Sequence, residues 1–219
     1  MRYEDVHAEI DAGTARDVLP HWARGLLDDI AHGRRVTAAV RHPLGFLCLP
    51  VERRGPYGMC LHLWSAELPA GRVTTSQVHC HSWDLVSYVL YGSLRNVRFQ
   101  IVDDPAAATH RVFEVISRGD VDELRATDRT VRCAPGRDSM HRTGESYALP
   151  AGVFHSTVLD DGPEAATVAL GLEVPAAGDL SLGGLGTPTH RVHRLPHGPA
   201  ETARAALLSS RRIAAVHAD

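Results

Sequence analysis

The chain has 219 residues, 44% of them apolar, and a formal net charge of −3. That length suits one domain, or one domain with extensions, and the apolar share is enough for a real core. No run of one charge sign suggests nucleic acid as a partner, and the absence of any lysine rules out a lysine Schiff base.

The opening stretch, MRYEDVHAEIDAGTARD, is polar and lacks the apolar segment of a secretory signal. No apolar run approaches the roughly 20 residues of a membrane span. The four cysteines, Cys48, Cys60, Cys80 and Cys133, lie far apart in sequence and form no CxxC pair. A reduced, cytoplasmic protein without membrane association is therefore expected.

The first predicted element is a helix over residues 14–32. Thr14 stands at its cap, Pro20 is expected to interrupt or restart it, and Gly33 ends it. Residues 1–33 are thus assigned to an N-terminal helical extension. From residue 34 to about 175 the pattern changes to short apolar runs broken by Gly, Pro and Asp. Candidate strands include RVTAAV, GFLCLPV, MCLHLWSAEL, SQVHCH, DLVSYVLY, LRNVRFQIV, HRVFEVIS, DRTVRCA, ESYALP, FHSTVL and ATVALGLEV. Many short strands at close spacing indicate a sandwich or barrel. In the tail, residues 176–219, GDLSLGGLGTP (178–188) reads as a flexible connection. AETARAALLSSRRIAAVHA reads as a helix packed on the outside of the barrel.

Within SQVHCHSWDLVSYVLYGSL, residues 76–94, His79 and His81 are two apart. In an extended segment both then point to one face, with Cys80 on the other. If that face is inward, two buried imidazoles need a partner, and one metal ion satisfies both. A second stretch, GESYALPAGVFHS (144–156), places His155 just beyond a tight turn at Pro150 and Gly152. A barrel can bring these distant strands together, so three imidazole lone pairs can converge. Imidazoles suit iron, zinc, copper or nickel better than magnesium or calcium. Three protein ligands leave coordination positions open for chemistry.

These two stretches resemble the two cupin motifs. Gly144, Pro150, Gly152 and His155 fit Gly-x5-Pro-x-Gly-x2-His. His79, His81 and Gly92 fit His-x-His-x3-Glu-x6-Gly, with Leu85 where the glutamate belongs and Leu159 where an asparagine can close the second motif. The resemblance covers about residues 35–175. It implies an all-β double-stranded β-helix, or jelly-roll, with the N-terminal helical extension and the C-terminal helix added. It also implies a metal on His79, His81 and His155.

Leu85 cannot bind a metal. Asp84 is adjacent but out of phase with the strand, so it is expected to serve the turn or to orient an imidazole or an arginine. Three histidines without a carboxylate resemble the thiol dioxygenases, which hold ferrous iron. Their Ser-x-His-x-Tyr set is missing from TVALGLEV, and SMHRT (139–143) precedes the second motif. The His-x-Asp…His set of most 2-oxoglutarate oxygenases is missing as well.

The expected function is a cupin enzyme acting on a small molecule. Iron(II) and O2-dependent oxidation come first. A zinc, nickel or manganese isomerase, epimerase or lyase is the alternative, and a non-catalytic ligand-binding or regulatory cupin the third reading. The substrate is expected to be anionic or amino-acid-like, with Arg98 or Arg142 binding its carboxylate. A homodimer is compatible with all three readings. Asp84, Arg98, Tyr88 and His141 are the catalytic candidates. His62, Trp64, Tyr91, Met140 and Glu145 are further residues that could line the pocket.

Overall fold

The computed structural model describes residues 1–68, 71, 73–159, 162 and 164–217. Two helices open the chain, α1 (Tyr3–Asp11) and α2 (Ala15–Ala31). The first was not expected, since it buries only Tyr3 and Val6. The second begins after Thr14 as predicted, but it runs through Pro20 without interruption. A proline inside a helix costs about 3 kcal/mol. Leu19, Leu26, Leu27 and Ile30 are buried along the same face, and each such side chain is worth about 1.5–3 kcal/mol. Packing therefore outweighs the missing N–H.

The rest is antiparallel β-structure. One sheet contains β1 (Val40–Arg41), β2 (Leu47–Arg54), β3 (Tyr57–Trp64), the first half of β5 (Trp83–Val102), β8 (Ser146–Leu149) and β10 (Ala165–Glu173). The other contains β4 (His79–Cys80), the second half of β5, β6 (His110–Arg118), β7 (Val121–Arg142), β9 (His155–Val158), β11 (Leu180–Gly183) and β12 (His190–His193). β7 pairs with β6 through its first half and with β5 through its second, so the second sheet curls back on itself. This is the jelly-roll barrel expected from the sequence.

Two expected strands, DLVSYVLY and LRNVRFQIV, merge into β5, which passes from one sheet to the other near Gly92. Gly92 has φ +79°, and a Cβ there would lie 2.3 Å from the Glu164 carbonyl oxygen. Only glycine permits this close turn. The expected flexible connection at 178–188 is partly ordered as β11, which pairs with both β4 and β6. RVTAAV contributes only its last residue to a strand.

Helix α3 (Pro199–Val216) lies against α2, where Ser210 Oγ donates to Asp28 Oδ1 at 2.6 Å. Tyr91 Oη donates to Ser209 Oγ at 3.3 Å. The three helices cover the outer face of the first sheet, and Leu27 and Ala205 join Leu49, Leu61, Leu63, Leu90 and Val168 in one buried cluster. Strand alternation turns the intervening residues inward. Phe46, Trp64 and Val89 form one interior cluster; Leu85, Leu149 and Ala169 form another. Among the described residues, no helix is long and apolar enough to cross a membrane.

Candidate metal centre

His79 and His155 are direct cross-strand partners of β4 and β9. Such partners project to the same face. His81 follows two residues after His79. Ring centroids lie 4.4 Å apart for His79 and His155, 4.7 Å for His79 and His81, and 5.1 Å for His81 and His155. One nitrogen from each ring falls within 4.8 Å of the others.

The tautomers follow from the outer contacts. His79 Nδ1 lies 2.9 Å from the Gln77 carbonyl oxygen, and His155 Nδ1 lies 3.0 Å from that of Val153. A carbonyl only accepts, so each Nδ1 carries the proton and each Nε2 keeps its lone pair. Backbone carbonyls in this role orient a metal-binding imidazole and raise its basicity. Burial pushes His79 down to about 3. Burial likewise holds His81 well below the usual histidine range and lowers His155. All three rings are therefore neutral near pH 7, as ligands must be. This donor set fits a divalent transition metal.

The local fold fixes the third ligand. The Gly152 N–H donates to the His81 carbonyl at 2.9 Å, which ties the turn before His155 to the first histidine pair. Gly152 has φ +75°, a conformation that favours glycine. His81 stacks on Trp83 with centroids 4.1 Å apart. Trp83 in turn lies over Gly171, where a Cβ would come within 2.9 Å of the indole.

Asp84 is exposed, and its Oδ1 accepts from the Ala151 N–H at 2.8 Å. The carboxylate thus braces the turn that presents His155, in keeping with its expected phase. Asp84→Ala is expected to retain a near-full metal complement and to lose about 1–2 kcal/mol of stability. Metal analysis alongside urea unfolding measures both.

Arg98 is the direct strand partner of His155. It is exposed, and its Nη2 donates to the Ala148 carbonyl at 3.3 Å. His141 stacks on Tyr147 at 4.6 Å and contacts Ser139 Oγ at 2.9 Å. Arg142, one residue further along β7, is exposed and follows the opposite phase.

Tyr88 requires correction. Its side chain is 1% exposed and belongs to the cluster under the helices, beside Arg16 and Asp17. It is on the opposite face of β5 from the barrel interior. Tyr91 lies in the same outer cluster. The Tyr88 hydroxyl has no hydrogen-bond partner among the described residues. Tyr88→Phe is therefore expected to leave metal content unchanged and to shift stability by no more than about 1 kcal/mol. Metal analysis and a denaturation midpoint check this.

No protein-family model matches the chain, and no curated protein matches it. Solved structures do. Protein NMB1881 from Neisseria meningitidis is 14% identical, with 57% of this chain and 82% of that chain covered and a TM-score of 0.31. Hydroxypropylphosphonic acid epoxidase from S. wedmorenis is 10% identical, over 58% of this chain and 51% of that one, with a TM-score of 0.34. Hydroquinone 1,2-dioxygenase from Sphingomonas sp. TTNP3, with 4-hydroxybenzoate bound, is 12% identical, over 55% and 62%, with a TM-score of 0.31. The chain spans less than two thirds of the length of the last two.

Sequence reasoning missed a second set of polar groups around the barrel interior. His42 stacks on Phe46 at 4.3 Å, and Phe46 packs against His62 at 4.5 Å. Cys48 and Cys60 lie beside His62. The Cys-x-His spacing of Cys60 and His62 was the available signal, because it puts both on one strand face.

Proposed function

We propose that this chain is a metal-dependent enzyme acting on a small molecule, with His79, His81 and His155 holding one iron(II) ion. The observation that carries the reading is the convergence of three neutral imidazoles, two with Nδ1 anchored to backbone carbonyls. Leu85 occupies the place of the motif's glutamate and packs with Leu149 and Ala169. When bound, the metal supplies open coordination positions, Lewis acidity and access to O2 chemistry.

The protein's own groups set what can approach. Three neutral ligands leave the dication uncompensated, which favours an anionic substrate, such as an amino acid or another small acid. Arg98, exposed beside His155, supplies a forked donor set for a carboxylate. His141 and Tyr147 form a stacked polar wall. Burial raises the Tyr147 phenol, so it stays protonated and able to donate. Trp83, Leu85, Leu149 and Ala169 provide an apolar surface. Such a lining excludes water and strengthens polar contacts to a bound substrate.

The test is metal analysis of protein purified without added metal, followed by oxygen uptake with small acids and amino acids, with and without 2-oxoglutarate. Iron content near one equivalent and O2 consumption without 2-oxoglutarate are expected. Turnover under strict anaerobiosis, or zinc or nickel in place of iron, would overturn the oxygenase reading in favour of an isomerase or lyase.

A further inference from the structure

A second convergence of metal-ligating atoms lies on β2 and β3. Cys48 on β2 and His62 on β3 are direct cross-strand partners. Cys60 is two residues before His62 on the same face. The two sulfurs and one imidazole nitrogen all lie within 4.8 Å of one another. Two sulfurs on one ion with bonds near 2.3 Å sit roughly 3.8 Å apart, so the approach needed is small.

Several features of the two strands serve this cluster. Pro50 stands opposite Cys60, and a register shift between Pro50 and Glu52 brings Arg53 opposite Gly58. The Arg53 side chain folds over Gly58, where a Cβ would lie 2.0 Å from Nη1. Any larger residue at position 58 would displace it. From there Arg53 Nη2 donates to Cys60 Sγ at 3.5 Å. On the other side, Phe46 packs on the His62 ring and fixes its plane. A hydrogen bond from Cys48, helped by His62, holds the Cys60 thiol well below its usual range, whereas Cys48 is held above it. Each thiol that binds an ion gives up its proton to solvent.

A disulfide is the competing use of two close cysteines. Cys48 pairs in register with His62, so Cys60 is its diagonal neighbour rather than its direct partner. Diagonal positions are about 7–8 Å apart, beyond the usual reach of a disulfide without backbone movement.

We propose that Cys48, Cys60 and His62 form a second metal site, specific for a thiophilic monovalent cation of the copper(I) type. Two thiolates and an imidazole are the soft donors such an ion takes. Three donors satisfy copper(I), which accepts low coordination, whereas structural zinc takes four. Two thiolates with a monovalent ion carry a net charge of −1, and the Arg53 guanidinium has the opposite sign. A divalent ion would leave the centre neutral and the guanidinium with no charge to offset.

The experiment is titration of the reduced, metal-free full-length protein with one equivalent of copper(I) against a chromogenic copper(I) chelator. The wild type, Cys48→Ser, Cys60→Ser and His155→Ala are compared. Affinity is expected to fall about tenfold or more in each cysteine variant and to be unchanged in His155→Ala. X-ray absorption of the copper(I)-loaded wild type needs no variant to fold, and is expected to show two sulfur neighbours and one nitrogen. Only nitrogen and oxygen neighbours, or equal affinity in the cysteine variants, would overturn the assignment. Tighter binding of zinc than of copper(I) relative to each ion's free-solution affinity for thiolates would overturn the monovalent preference.

Discussion

Replacing His155 by alanine is expected to lower the affinity for iron(II) by at least about 100-fold, since even outer partners of metal ligands are worth 10–100-fold. His155 is 3% exposed and is the direct partner of His79, so its loss removes one donor and opens the space beside the other two. The same change should uncouple metal from stability. An ion bound at 100 times its dissociation constant stabilises a fold by about 2.7 kcal/mol. Adding a chelator should therefore lower the melting temperature of the wild type and leave that of His155→Ala unmoved. His79→Ala and His81→Ala should behave alike. A full metal complement in purified His155→Ala, with the far-UV circular dichroism of the wild type, would remove His155 from the centre.

The triad was readable because each part of it rests on local geometry. The two-residue period of a strand put His79 and His81 on one face. The Pro150–Gly152 turn delivered His155 to the next strand. The structure adds the pairing of His79 with His155 and the carbonyls that set their tautomers. Tyr88 was misread for a physical reason. The first half of β5, WDLVSYVLYG, is covered on both faces, by helices outside and by the barrel interior within. Its apolar residues therefore show no one-sided alternation, and the sequence does not say which face is which.

The Cys48–Cys60 approach was hidden for another reason. It depends on the register of the hairpin between β2 and β3 and on the irregularity after Pro50, neither of which leaves a compositional mark. Helix α1 escaped notice because so few of its side chains are buried. Pro20 shows the opposite case, a clear local signal overruled by packing.

Leu85→Glu is the most demanding test of the placement on which the functional reading depends. Leu85 is 6% exposed among Leu149, Ala169, Trp83 and Tyr147. A carboxylate there, with no metal present, is a buried charge with apolar neighbours. Such a charge costs on the order of 3–5 kcal/mol when nothing pairs with it. The metal-free variant should therefore melt well below the metal-free wild type. Position 85 is also where the cupin-like first motif carries its glutamate, so the added carboxylate should become a fourth ligand once metal is supplied. An anionic donor strengthens a site of three neutral ones, and its binding relieves the buried charge. The metal-induced rise in melting temperature should then be larger in Leu85→Glu than in the wild type. Oxygen-dependent activity should fall, because the carboxylate fills a position and cancels charge that the substrate otherwise meets. Thermal melts of both proteins with and without iron(II), under argon, separate the two effects. A metal-induced rise no greater than that of the wild type would show that position 85 does not face the centre, and that Leu85 is only part of the barrel's apolar packing.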